Sequence, residues 1–280
     1  AETQTGLSAP SAVTTDDRAS NAVVFGVDTS YWRDTQLFSE YRLRDALSGQ
    51  DVQHASGVRN SWDFAPGIRL NTAYEWTQVV SGTAPTTQAA SLGLDYTAHP
   101  LWRGSTKLEY RTSGDIGTTP TQNEAFNTTL WQVMAARKID RDWTFLARNY
   151  MLQTAYQEKG NVFQDRIQLG FAYRDTDTNR INALAKYEYK TEQDDSNAVL
   201  GSLSSRAHIV STHADYHPTR VWWLTGRFAA KWQQDRFEGG VSDNFQSQLV
   251  SGRATYDITE NWDLGAMAAA QMGQYGATQH

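Results

Sequence analysis

The sequence predicts an all-β chain: a transmembrane, antiparallel, up-and-down β-barrel, with about 14 strands in these 280 residues and 16 or more in the whole barrel. Three observations carry that expectation. Apolar and polar residues alternate with period two over stretches of eight or more residues, which is the signal of a two-faced strand. The connections alternate between short turns and longer polar loops, as in a meander whose two ends differ. Tryptophan recurs beside the short turns at Trp62, Trp102, Trp143, Trp222 and Trp262, with spacings of 40, 41, 79 and 40 residues.

The strands follow in order. The pattern places them near 22–30, 36–45, 53–62, 67–79, 87–98, 104–112, 124–137, 143–156, 163–174, 180–191, 205–216, 221–235, 245–257 and 261–270. In the fourth, Ile68, Leu70, Tyr74 and Trp76 oppose Arg69, Asn71 and Glu75; in the fifth, Leu92, Leu94 and Tyr96 oppose Ser91 and Asp95. In the sixth, Leu108 and Tyr110 oppose Lys107, Glu109 and Arg111. The seventh and eighth leave the inside face open. In the ninth, Ile167, Leu169, Phe171 and Tyr173 oppose Arg166, Gln168 and Arg174. In the tenth, Ile181, Ala183, Ala185, Tyr187 and Tyr189 oppose Asn182, Lys186, Glu188 and Lys190. In the twelfth, Trp222, Leu224, Phe228, Ala230 and Trp232 oppose Thr225, Arg227 and Lys231.

Longer loops are expected near 46–52, 80–86, 113–123, 157–162, 192–204, 236–244 and after 271. The domain reading is therefore a surface loop or the end of an upstream strand at 1–20, the barrel at 21–271, and at 272–280 a surface loop leading to missing strands. A first strand that starts, and a last strand that ends, at the long-loop side implies at least one further strand at each end. A repeat of about 40 residues also fits a four-stranded propeller blade, but here each period holds two long strands.

Composition narrows the classes. Lys and Arg number 25 against 31 Asp and Glu, a net charge of −6, which argues against binding nucleic acid through a general positive field. Mean hydropathy is −0.60 and no apolar run approaches the ~20 residues of a membrane helix. Aromatics are 12%, with 10 Trp and 13 Tyr, too many for a disordered chain. The absence of cysteine removes disulfides, thiolate metal sites and thiol catalysis. The N-terminal residues lack the basic and apolar regions of a signal peptide, so the chain reads as mature, cytosolic or part of something longer.

The apolar faces are rich in Tyr, Trp, Ala, Thr and Gly and poor in Ile and Val, which suits a lipid-facing wall better than a packed core. The polar faces then line a lumen. Its expected wall is Arg42, Arg44, Arg69, Glu75, Lys107, Glu109, Arg111, Arg166, Lys186, Glu188, Arg227 and Lys231. The cationic excess points to anion preference if the lumen is open. Trp62, Trp102, Trp143, Trp222 and Trp262 are expected to form a periplasmic aromatic girdle.

Glu40-Tyr41-Arg42-Leu43-Arg44-Asp45, Ala55-Ser56-Gly57-Val58-Arg59, Val210-Ser211-Thr212-His213, Thr225-Gly226-Arg227, Ala230-Lys231-Trp232 and Asn261-Trp262-Asp263-Leu264 together resemble the C-terminal barrel of large proteobacterial surface proteins. In that family the barrel follows arrays of extracellular β-sandwich repeats. The resemblance covers about residues 20–270 and implies an outer-membrane anchor without enzymatic residues. The expected partners are outer-membrane lipid, upstream extracellular domains of the same polypeptide, and copies of the chain in a homo-oligomer or surface assembly, with no nucleic acid. No cofactor is expected.

Rival chemistries are weak. His208, His213 and His217 cluster, and on a strand His213, Asp215 and His217 share a face with Ser211 beside them, as a metal site or a barrel hydrolase would need; yet His217-Pro218 lies in a turn and no Gly-x-Ser-x-Gly elbow is present. Asp175-Thr176-Asp177-Thr178-Asn179 begins like a calcium loop, but Arg180 and Lys186 stand where Gly and Glu belong, so a turn is expected. Alternatives to the anchor are a porin-like diffusion channel and, from another class, a soluble all-β carbohydrate-binding or adhesive domain.

Overall fold

In a computed structural model of the chain, residues 22–279 are described, apart from 33, 47–48, 82–85, 115–124, 158, 197–200 and 239. Among the described residues the strands are β1 (Ala22–Trp32), β2 (Thr35–Ala46), β3 (Gly49–Ala65), β4 (Ile68–Ser81), β5 (Thr87–His99), β6 (Trp102–Ser113) and β7 (Phe126–Lys138), then β8 (Trp143–Tyr156), β9 (Asn161–Arg174), β10 (Ile181–Asp194), β11 (Leu203–Thr219), β12 (Trp222–Phe237), β13 (Val241–Thr259) and β14 (Trp262–Gln279). All pair antiparallel with their sequence neighbours in one 14-stranded sheet. Among the described residues β1 and β14 each pair on one side only. The predicted all-β meander is the observed fold.

Short hairpins need backbone conformations that few residues supply. At the β3–β4 turn Pro66 precedes Gly67, whose φ of 74° is the left-handed value that the third position of a type II turn requires. Asn179 (φ 54°) takes the same region in the β9–β10 turn, where a short polar side chain tolerates it.

The register is staggered. Following cross-strand partners from Met272 leads through Gln248, Ala230, Val210 and Tyr187 to Leu169, and on through Ala147, Ala135, Gly104, Tyr96 and Ile68 to Ala65. The row starts ten residues into β14 and ends at the turn that closes β3. That is ten residues of slip over eleven strand-to-strand steps, close to one per strand. With ~3.3 Å rise per residue and ~4.8 Å between strands, the strands tilt by roughly 30–35°, near the range of closed membrane barrels.

Two expected loops are largely strand. β3 begins at Gly49 and β13 at Val241, so the loops placed at 46–52 and 236–244 shrink. Most of the segment 272–280, expected as a loop, is strand: β14 continues to Gln279, with Gly273 opposite Ser247 and Gln279 opposite Val241, and residue 280 lies outside the described residues. The expected segment 1–20 lies outside the described residues. The physical reason is common to these differences. Alternation marks a strand only while its two faces meet different surroundings; a hairpin that continues as a wetted ribbon keeps its ladder and loses the pattern.

On the inner face Phe38 stands directly opposite Gly57 and is itself 5% exposed, with the Arg59 guanidinium 4.2 Å over its ring. A methyl on Gly57 would lie 2.3 Å from the Tyr74 carbonyl oxygen and 2.6 Å from the Phe38 ring. Gly57→Ala is expected to destabilise the chain by about 1–3 kcal/mol in urea unfolding from micelles. Gly226→Ala, where nothing lies within 4 Å, changes stability by less than about 1 kcal/mol.

Candidate functional site

Direct partners in an antiparallel ladder project to the same side, so the ladders sort every strand residue onto a face. One row runs Glu188, Gln168, Arg148, Met134, Ser105, Asp95, Arg69 and Asp63 from β10 to β3. A cavity of about 1170 Å³ on that side is lined from Asp63 and Arg69 through Asp95, Arg103 and Arg148 to Leu184 and Lys186. Eight consecutive strands bordering one cavity means that the sheet curls around it, and the charged face is the concave one.

Apart from Arg44, the expected wall residues have ladder positions on this side of the sheet. Arg42 lies opposite Gln53; Glu75 opposite Gly57; Lys107, Glu109 and Arg111 opposite Gln132, Leu130 and Thr128. Arg166 lies opposite Lys190, Lys186 opposite Gly170 and Ser211, Arg227 opposite His213, and Lys231 opposite Ile209. Arg44 sits between Ala22 and Asp51 in the ladder, and its side chain lies outside the described residues. The two strands with an open inside face are settled by register. Thr128, Leu130, Gln132, Met134 and Ala136 of β7 and Leu146, Arg148, Tyr150 and Leu152 of β8 join the concave side. Their pattern is blurred because Leu130, Met134, Leu146 and Leu152 on the concave side face away from equally apolar Trp131, Val133, Phe145 and Met151 on the convex side.

The concave face is charged yet largely paired. Arg42 bonds Glu40 at 3.1 Å and Glu75 at 3.3 Å. Glu109, 4% exposed, takes Lys107 at 2.9 Å and Arg111 at 3.8 Å. Glu188, 6% exposed, takes Lys186 at 3.1 Å and Arg166 at 3.2 Å and accepts a 2.7 Å hydrogen bond from Gln168 Nε2. Each buried carboxylate thus has two cations within 4 Å, which offsets its desolvation; Glu188 is also hydrogen-bonded, whereas Glu109 Oε2 has only the ion-pair contact. Asp63 pairs with Arg69 at 2.9 Å near the short-turn end.

The five predicted tryptophans all stand on the convex face at the short-turn end. Trp62 is opposite Leu70. Trp102 is opposite Arg137, whose guanidinium lies 5.1 Å from its ring. Trp143 and Tyr173 have ring centroids 4.9 Å apart, as do Trp222 and Tyr256. Trp262 opens β14 and is 74% exposed. Trp32, exposed and beside the β1–β2 turn, belongs with them. It falls outside the 40-residue spacing, and proximity to a turn was the usable signal. In the β9–β10 hairpin Tyr173 and Ile181 hold the corresponding places. A second aromatic level lies eight to ten residues on, as in Trp76 after Ile68, Tyr110 after Trp102 and Trp232 after Trp222. At ~2.8 Å of axial rise per tilted residue the two levels are roughly 22–28 Å apart, the height of a membrane-facing apolar band.

The histidine cluster does not assemble a catalytic pair. Both nitrogens of His213 are engaged: Nε2 lies 3.0 Å from Asp215, and Nδ1 accepts from Arg227 Nε at 3.2 Å. Ser211 has no hydrogen bond to His213 among the described residues. His208 projects to the opposite face, against Tyr187 Oη at 2.8 Å. His217 packs its edge on Trp223, with centroids 4.0 Å apart. No cluster of three or more metal-ligating acids and histidines occurs among the described residues. The segment 175–179 is a turn closed on itself: Asp175 Oδ1 accepts from the amides of Asp177 and Thr178, at 3.1 and 3.0 Å.

Two neighbouring turns are latched together. Asp142 Oδ1 accepts from the Thr176 hydroxyl at 2.6 Å and its amide at 3.1 Å, and Arg141 reaches the Thr176 hydroxyl and Asp177. The Thr176 hydroxyl, then its amide, hold the Asp142 carboxyl below its usual range; the Thr178 hydroxyl and amide do the same for Asp175.

No protein-family model matches the chain, and no curated protein matches it in sequence. Among solved structures the chain is similar to a bacterial polysaccharide outer membrane secretin, at 11% identity and TM-score 0.46 over 93% of this chain and 91% of that one. It is similar to a loop-deletion form of OmpT, an outer membrane protein of Vibrio cholerae, at 13% identity and TM-score 0.39 over 90% and 96%. A likeness to the NanC porin has 13% identity and TM-score 0.26 over 69% and 93%.

The latch has a pH signature. Lowered native carboxylate values stabilise the fold above the ordinary value of 3.8, and the contribution is lost as pH falls through the lowered values. The wild-type chain is therefore expected to be more stable than an Asp142→Asn/Asp175→Asn variant near neutrality. The gap in urea midpoint should close as pH falls from about 5 to about 2.5.

Proposed function

We propose that the chain is a wall of a bacterial outer-membrane β-barrel, with the convex face in lipid and the concave face around an aqueous lumen. The observation that carries the reading is the inversion of faces. Most tryptophan, tyrosine, phenylalanine and leucine side chains stand outward, while most charges stand on the concave side, where many are paired. In lipid every backbone group must be bonded within the sheet, and a continuous antiparallel ladder does this. A soluble carbohydrate-binding sheet would need a second layer over so large an apolar face.

In the same reading the barrel anchors a larger cell-surface polypeptide. The resemblance of its short sequence fragments to C-terminal barrels of multi-domain surface proteins supports that role. A diffusion channel is the second reading, favoured by the 1170 Å³ cavity and its cationic lining.

Refolding with and without micelles tests the membrane reading. A β circular-dichroism spectrum and heat-modifiable gel mobility are expected only with micelles, with tryptophan emission quenched by brominated lipid. A monomeric β fold in plain buffer would overturn it. Planar-bilayer current separates a channel from a purely anchoring barrel. Neighbouring positions read the two faces: Leu92→Arg should cost about 2–4 kcal/mol at mid-bilayer, and Ser91→Arg, on the concave side between Ala73 and Glu109, less than about 1 kcal/mol.

A further inference from the structure

Deepening the lumen reading, on which it rests, we propose that the inward side chains of β8, β9 and β10 form a binding site for one small oxyanion. Three cations converge there. Arg148, Arg166 and Lys190 line a separate cavity of about 200 Å³ together with Tyr150 and Gln164, and no carboxylate lines it.

The placement is costly without a ligand. Arg166 and Lys190 are direct cross-strand partners, and like charges so placed repel. Glu188 at 3.2 Å from Arg166 and Glu192 at 2.9 Å from Lys190 offset part of the repulsion from the sides. Arg148 has no hydrogen bond or ion pair among the described residues. Counting Arg148, Arg166, Lys186 and Lys190 against Glu188 and Glu192 leaves the patch at 4 − 2 = +2. An anion set between the three cations converts that repulsion into charge-assisted hydrogen bonds, and a guanidinium fork suits an oxyanion's paired oxygens.

Size selects within the class. A volume near 200 Å³ is below the ~300–1,000 Å³ of pockets for drug-sized molecules. It admits a phosphate or a carboxylate head with attendant water. Arg148 also borders the main cavity, so an anion held here sits at the edge of the solute path.

The test uses the full chain folded in micelles, with heat-modifiable mobility confirming the fold of every variant. Inorganic phosphate is titrated while its ³¹P line width is followed, with acetate and glucuronate as competitors. Saturable binding is expected. Arg148→Gln should weaken it by about tenfold or more, and Arg148→Lys by less. Lys231→Gln, on the same face beyond β11, should change it by less than about twofold. Competition by acetate assigns the site to oxyanions in general; competition by neither carboxylate assigns it to phosphoryl groups. Absence of saturable binding, or equal weakening by Lys231→Gln, overturns the site. Bilayer current keeps the two readings apart. A conducting chain whose anion selectivity ignores both phosphate and Arg148→Gln loses the site and keeps the lumen. A chain that binds phosphate but passes no current keeps the site and loses the open lumen.

Discussion

Everything in this molecule depends on the antiparallel ladder and its stagger of about one residue per strand. The ladder bonds each strand's backbone groups to its neighbours, which is what allows strands to lie in a medium that offers no hydrogen bonds. The stagger tilts the strands, and the tilt sets how much of each strand fits between two aromatic levels. It also decides which side chains share a row. Tyr189 of β10 stands level in the ladder with Ile167 and Asn149, and the same row reaches Leu70 and Trp62 at the far side of the sheet. A sheet without that slip would put its girdles and its charges in different registers.

The concave face uses the other consequence of the ladder, which is that strand neighbours two residues apart also share a side. Glu109 lies between Lys107 and Arg111 on one strand, and Glu188 between Lys186 and Lys190 on another. Burial would raise the cost of each carboxylate; Lys107 and Arg111 meet it at Glu109, and Lys186 with Arg166 of the neighbouring strand meet it at Glu188, without reaching across the lumen. Where the pattern lacks acids, between β8 and β10, cations remain in excess. The chemistry of the wall is therefore uneven: Arg148, like Arg103 and Lys231 elsewhere on this face, has no ion pair among the described residues, but it alone of the three borders the small cavity with Arg166 and Lys190.

Much of this was legible in the residues themselves. All fourteen strands, the short turns and the outward tryptophans follow from period-two alternation and from tryptophan beside turns, because a strand's side chains are sorted by parity alone. What was missed lies where parity carries no contrast. The faces of β7 and β8 were open because Leu130, Met134, Leu146 and Leu152 put apolar residues on the concave side. The ends of β3 and β13 give no strand signal because polar and small residues dominate both faces there, and the end of β14 gives none because its two large residues, Met272 and Tyr275, fall on opposite faces. Trp32 was passed over because the first hairpin breaks the 40-residue spacing.

Local alternation sets the class of structure, the number of strands and, outside β7 and β8, the side to which the charges project, since these depend on residues close together in the chain. Only the tertiary structure decided which charges meet. Arg166 and Lys190, or Glu75 and Arg42, are brought together by a register that accumulates strand by strand across the sheet. A slip of one residue in any ladder would carry a strand's charges to the opposite face, and nothing local to Arg148, Arg166 or Lys190 states that they border one cavity.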